Sequence, residues 1–213
     1  GLNTWFVSKL VREAGLTVAL SGVGGDELFV GYGGFKKPLS MMEWHKWVRR
    51  LPTFLGKQVA NCAHSERIRK VGQLMGFPLP AYFLSRQVFS PSQSERLLHS
   101  DFYSDPGKWR RDAFGQVIEV ANGLDAIDQI SIYEMRSYML STLLRDTDQM
   151  SMAHSLEVRV PLVDHCVVEK MLSLPSEWKR DPLTPKPVLV SAAGEGLPSA
   201  CVHRPKQGFA LPF

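Results

Sequence analysis

Asp26 and Glu27 follow three glycines, Gly22, Gly24 and Gly25, in the stretch Thr17-Val18-Ala19-Leu20-Ser21-Gly22-Val23-Gly24-Gly25-Asp26-Glu27-Leu28-Phe29-Val30-Gly31-Tyr32. Glycines in that density let backbone N–H groups approach a phosphate or nucleotide with no Cβ in the way. A carboxylate directly after them suits the positive end of a helix and can hold a hard divalent cation alongside phosphate oxygens. Two familiar nucleotide loops are excluded. No Gly-Lys-Ser/Thr follows, and the third glycine of the dinucleotide fingerprint is missing at its required spacing.

A second set of chemically capable residues is Arg145, Asp146, Asp148, Glu157 and Arg159, spread among apolar neighbours. Both signs are available, so an internal ion-pair network accounts for them as readily as a binding site does. A third is the basic tail His203-Arg204-Pro205-Lys206-Gln207-Gly208, followed by Phe209-Ala210-Leu211-Pro212-Phe213. Its apolar end wants burial, so the tail is expected to dock rather than trail in solvent. His45, His64 and His99 have no partner at metal-ligand spacing and read as surface or core-edge residues. Cys62, Cys166 and Cys201 are odd in number and widely spaced, the pattern of reduced thiols in a cytoplasmic protein.

The elements that must position these residues are partly legible. Leu2 to Ala14 reads as a helix, with Phe6, Val7, Leu10, Val11 and Ala14 on one face and Gly15 placed as its C-cap. Val18-Ala19-Leu20 has the length of a buried strand, and the close helix-then-strand succession is that of a parallel sheet. Further strands must come from residues outside this chain or from segments without a strand pattern. Between Pro38 and about Gly123 the chain alternates helical and irregular stretches. Trp44, Trp47 and Val48 form one apolar stripe there. Ser90, Pro91 and Gln93 form a helix start, with Leu97 and Leu98 as its apolar face. Asp125 and Asp128 open a strong helix whose buried stripe is Ile127, Ile130, Tyr133 and Leu140. Asp164 caps another, with Val167, Val168, Met171 and Leu172 inward and Pro175 closing it. A short helix runs from Lys186 to Ala193 and ends at Gly194.

The 213 residues are enough for one good core and short of two comfortable domains, and at 44% hydrophobic the chain is globular. A formal net charge of +4, with the basic residues dispersed, gives no argument for nucleic acid. No apolar run approaches the length of a membrane span, and the first residues lack the pattern of a secretory signal. The chain starts at Gly1, so a longer parent is expected.

Three separated blocks, LSGVGGDELFVGY, DQMSMAHSLEVRVPLVDH and RPKQGFALPF, resemble the asparagine synthetase (glutamine-hydrolysing) family and stand in the family's order. They bracket almost the whole chain. Gly24-Gly25-Asp26-Glu27-Leu28 also looks like the GGDEF signature of diguanylate cyclases, which requires a β-hairpin at the glycines. A non-catalytic helical interaction module that kept the fold is a further alternative. The family resemblance implies an α/β parent fold of the adenine nucleotide alpha-hydrolase type, with a parallel sheet. Residues 1–213 would be the C-terminal portion of its ATP-binding domain, helix-dominated and holding about one sheet strand at 17–21.

The resemblance further implies an ATP- and magnesium-dependent ligase that adenylates a carboxylate and gives it ammonia from glutamine. The implied partners are a small-molecule carboxylate, a separate glutaminase domain and, compatibly, a second copy of the enzyme. Carried onto this sequence, Ser21, Gly22 and Gly24 line the nucleotide, Asp26 binds magnesium, and Lys206 reaches the phosphates. Glu157 is placed with the catalytic groups, while Val23 and Arg159 border the substrate. Two departures stand out. Asparagine-forming members commonly carry glutamate where this chain has Val23, so the acceptor need not be aspartate. The family's pyrophosphate loop, Ser-Gly-Gly-x-Asp-Ser, and its glutaminase cysteine are not in this sequence, so the chain alone is expected to be inactive.

Overall fold

A computed structural model describes residues 1–31, 35–48, 58, 72, 79–89, 93, 96–99 and 106–203. In chain order the elements are α1 (Leu2–Glu13), β1 (Val18–Leu20), α2 (Gly25–Leu28), α3 (Lys36–Val48), α4 (Ala81–Ser85), α5 (Pro106–Val120) and α6 (Ala126–Glu134). A π-helical segment (Met135–Leu144) leads into α7 (Arg145–Met152), then β2 (Glu157–Arg159) and a 3-10 turn (Pro161–Val163). Helices α8 (His165–Ser173), α9 (Pro187–Ala193) and α10 (Ser199–Val202) complete the described part, with a second 3-10 turn (Gly194–Gly196) after α9. Two compact units emerge, one comprising Gly1–Tyr32 and Ser131–Phe213, the other Gly33–Ile130. Lys206, the docking tail and the helix start at Ser90 and Pro91 lie outside the described residues.

In the first unit α1 ends as its sequence requires. Gly15 has φ 85 and donates its N–H to the Arg12 carbonyl at 2.9 Å, while Leu16 donates to Val11 at 3.3 Å. This double bond pattern satisfies carbonyls that the helix itself leaves open. The helix rests on α7, with Ser8 buried and the Trp5 ring 4.5 Å from the His154 ring. The expected apolar face does not supply that packing. Phe6, Val7 and Leu10 are exposed, because α1 turns its Trp5–Ser8 side toward α7.

Strand β1 pairs in parallel with β2, Val18 opposite Glu157, Ala19 opposite Val158 and Leu20 opposite Arg159. The sheet has two strands among the described residues, one more than the sequence displays. Ala19 and Val158 are half-buried, whereas Val18, Leu20, Glu157 and Arg159 are exposed. Side chains alternate along a strand and share a face with their cross-strand partners. One face of this sheet is therefore partly covered and the other open, and β1 is not the buried strand its composition suggests.

The core of this unit gathers on α2 and α8. Leu28, Phe29 and Met171 are buried, with Met135, Leu162, Val168 and Val188 packed against them. Asp164 caps α8 by accepting the Cys166 N–H at 2.9 Å, and Leu174 turns extended ahead of Pro175, as expected.

The α6 start also follows expectation. Asp125 Oδ1 accepts the N–H groups of Ile127 and Asp128 at 2.8 and 3.2 Å, and Ile127, Ile130 and Tyr133 are buried. Leu140 is exposed and Met139 buried in its place. From Met135 the chain winds with i→i+5 bonds, so each turn holds more residues than an α turn and the 3.6-residue phase slips.

In the second unit α3 packs on α4, whose residues Ala81, Tyr82, Phe83 and Leu84 are all buried. Phe83 stacks on Phe114 of α5 at 4.6 Å. Trp44, Trp47, Leu97 and Leu98 are exposed, so the stripes read from sequence do not face a core of the described residues. No described helix is long and apolar enough to cross a membrane.

Candidate functional site

The glycine turn sits at the C-terminal ends of both parallel strands, the end at which open α/β sheets receive ligands. Ser21 donates its backbone N–H to the Arg159 carbonyl at 2.8 Å, and its Oγ accepts the Val23 N–H at 3.3 Å. Gly25 donates back to the Gly22 carbonyl at 3.1 Å, closing the turn before α2 begins. The arrangement is strand, turn, helix. A β-hairpin at Gly24 and Gly25, the requirement of the diguanylate cyclase reading, is not what forms.

The glycines serve different ends. A Cβ at Gly22 would meet nothing within 4 Å, so this backbone is open to an incoming group. Gly24 has φ 89, and a Cβ there would fall 2.5 Å from Val163 Cγ2. At Gly25 it would fall 2.9 Å from Leu162 Cδ1. These two therefore let the turn seat directly on residues 161–163, the segment that follows β2.

Asp26, in the first turn of α2, is part-exposed, while its neighbours Glu27 and Leu28 are buried. Its Oδ1 lies 2.9 Å from Lys186 Nζ. Sequence reasoning placed Lys186 only as the start of a short helix. Its tie to Asp26 depends on tertiary approach, and no local signal marks it. Lys186 is the N-cap of α9 with a left-handed backbone, φ 52 and ψ 56.

Glu157 and Arg159, two residues apart on β2, pair with each other at 2.7 Å on the open face. The charged block thus contains at least one ion pair of its own. Asp146 Oδ2 lies 2.7 Å from the Gly1 nitrogen. The structure brings Ser21, Gly22, Val23, Gly24, Asp26 and Arg159 to one end of the sheet, with Arg159 joined through its carbonyl. Glu157 stands at the other end of its strand, opposite Val18.

Asp164, His165 and Cys166 also bring three ligating atoms within 4.8 Å of one another at the exposed start of α8. Desolvation, then the Asp164 and Glu169 carboxylates, push the Cys166 thiol above its ordinary pKa. All three are exposed, and exposed acidic groups of this kind are common without an ion.

Together these features define a helix-dominated protein with a small parallel sheet and a glycine turn at the C-terminal ends of its two described strands. The chain belongs to the asparagine synthase family, whose model matches residues 1–213. It is 31% identical to asparagine synthetase [glutamine-hydrolyzing] 1 of Bacillus subtilis (strain 168), over 98% of this chain and 33% of that protein. A Mycobacterium bovis protein given the same general name is 28% identical, over 98% of this chain and 32% of its own. Asparagine synthetase [glutamine-hydrolyzing] 3 of B. subtilis is 25% identical over 96% and 28%. The chain spans about a third of the length of these relatives. No solved structure matches.

Proposed function

We propose that residues 1–213 are the C-terminal portion of the ATP-binding domain of a carbon–nitrogen ligase with an adenine nucleotide alpha-hydrolase-like fold. The parent activates a carboxylate with ATP and transfers to it ammonia released from glutamine by a separate domain. The observation that carries this reading is the position of Asp26, a part-exposed carboxylate one turn beyond an open Gly22 backbone at the ends of two parallel strands. A single part-exposed carboxylate beside the open Gly22 backbone fits a magnesium ion that arrives with a nucleotide's phosphates.

In this reading Ser21, Gly22 and Gly24 line the nucleotide and Asp26 holds magnesium. The ion supplies neutralisation of phosphate charge. Val23 and Arg159 border the carboxylate substrate, and Lys206 and Glu157 serve the reaction. The parent works in the cytoplasm, and a homodimer is compatible with it.

The test is ATP–pyrophosphate exchange by the full-length protein with a panel of carboxylates. Exchange should require a carboxylate and magnesium, and Asp26→Asn should lower kcat/KM about 10²- to 10³-fold, the scale for losing one electrostatic contact to reacting phosphates. The 213-residue chain alone should show none. Carboxylate-independent behaviour, or an unaffected Asp26→Asn enzyme, would overturn the assignment in favour of a non-catalytic module.

A further inference from the structure

Lys186 and Asp26 form a built contact rather than a chance surface pair. Their side chains are only 30% and 24% exposed, and Nζ lies 2.9 Å from Oδ1. Backbone glycine walls the pair closely. A Cβ on Gly31 would fall 2.2 Å from Asp26 Oδ1 and 2.3 Å from Lys186 Cε, and one on Gly25 would lie 3.5 Å from Lys186 Nζ. Strain surrounds it as well. Among the described residues, three non-glycine positions have positive φ, and two of them are Lys186 and Val30, the neighbour of Gly31. A left-handed backbone is unfavourable for an ordinary L-residue and more so for a β-branched one. Such conformations persist where the surrounding structure over-determines them, commonly at ligand clamps and switch regions.

A divalent cation on Asp26 would bind the carboxylate whose Oδ1 already meets Lys186 Nζ. Magnesium binds carboxylate oxygen at about 2.0–2.1 Å. An ammonium group at hydrogen-bond distance from the same carboxylate would then face a doubly charged neighbour close by. We propose that Lys186 is the exchangeable counter-cation of Asp26: a divalent ion displaces it from Oδ1 and frees its amine toward the anionic groups the ion carries. Lys186 is thus a positioning residue, holding Asp26 aimed until the ion takes over. This rests on the reading of Asp26 as the cation ligand.

Two measurements on the full-length protein test it. The first is Mn²⁺ binding followed by electron paramagnetic resonance. Lys186→Met should bind Mn²⁺ about five- to tenfold more tightly than wild type, because a competing ion pair is gone. Lys186→Arg should stay near wild type, and Asp26→Asn should weaken binding in either background. The second uses the unmodified sequence. Reductive methylation of Lys186, read by mass spectrometry, should rise several-fold on adding Mg²⁺, and in Asp26→Asn it should already be high and insensitive to the ion. Mn²⁺ binding that Asp26→Asn leaves unchanged would overturn the cation-ligand reading and the exchange with it. Asp26-dependent binding with neither tightening in Lys186→Met nor an Mg²⁺-dependent rise in labelling would overturn the exchange alone.

Discussion

The Ser21 N–H reaches the Arg159 carbonyl at 2.8 Å, continuing the β1–β2 ladder past Leu20 into the glycine turn. The turn is therefore locked in register to the strand that carries Glu157 and Arg159. The chain then passes through Val160 to Pro161–Val163, which lies beneath Gly24 and Gly25. A turn held from both sides keeps its backbone groups fixed before a ligand arrives, which is how a site avoids the cost of ordering them on binding.

That packing makes Gly24 the least replaceable residue of the turn. Gly24→Ala combines a left-handed backbone at φ 89 with a Cβ 2.5 Å from Val163 Cγ2. It should destabilise the protein by about 2–4 kcal/mol in urea unfolding, the sum of a left-handed penalty and an overpacking penalty. In a Val163→Ala background the same change should cost only about 1–2 kcal/mol, the backbone part alone. Equal costs in both backgrounds would show that the clash with Val163 is relieved elsewhere.

Val30 offers the opposite experiment. It is β-branched with φ 57, and it precedes Gly31, whose N–H closes the end of α2 on the Asp26 carbonyl at 3.0 Å. Val30→Gly removes the left-handed penalty but loosens the unfolded chain, so the expected net gain is about 0.5–1 kcal/mol. A higher urea midpoint with unchanged slope is the signature. A lower midpoint would mean that the Val30 side chain's packing outweighs its strain.

Much of this was legible in sequence where a signal was local. The α1 cap at Gly15, the Asp125 and Asp164 caps and the strand–turn–helix at Leu20–Gly25 each depend on residues within one or two turns of one another. Other features depend on partners far along the chain. Strand β2 is three residues, two of them charged, and has no pattern until it lies against β1. The α1 helix shows one apolar face in sequence, yet Phe6, Val7 and Leu10 on it are exposed, because the side that packs is decided by α7 and not by the helix's own periodicity. Leu140 was misplaced because helical phase assumes an α turn, and the π segment breaks that assumption. The Lys186–Asp26 contact was invisible because a lysine in a proline-rich stretch looks like any solvated residue until tertiary structure brings it to a carboxylate.

Cys166 should react slowly with alkylating agents. Its thiol is raised above the ordinary cysteine value of about 8.5, by desolvation first and then by the Asp164 and Glu169 carboxylates. A raised pKa leaves less thiolate at a given pH, so carboxymethylation of Cys166 at pH 8 should be slower than that of a model peptide thiol. Asp164→Asn keeps a competent helix cap and removes one carboxylate, so it should speed the reaction without restoring the model rate, because desolvation remains. A wild-type rate at or above that of the model thiol would contradict the raised pKa.

The last prediction concerns the acceptor, and it turns on Val23. This residue is half-buried, its N–H is taken by Ser21 Oγ at 3.3 Å, and it stands between the open backbone of Gly22 and the packed backbone of Gly24. Its side chain is thus held beside the turn proposed to meet the nucleotide. A glutamate at this position could hold an ammonium group or relay a proton from attacking ammonia. Valine can do neither and presents an apolar wall. Losing a charged contact to a polar substrate leaves the substrate's desolvated charge unpaired, which costs on the order of 1–3 kcal/mol or more, about a 10- to 200-fold loss of kcat/KM. The full-length protein should therefore prefer a carboxylate other than free aspartate, with aspartate at least about tenfold poorer in carboxylate-dependent pyrophosphate release. Val23→Glu should narrow that gap by raising turnover of aspartate while lowering that of the preferred carboxylate. Ordinary saturable asparagine synthesis by the unmodified full-length protein would show that the wall at Val23 does not select the acceptor.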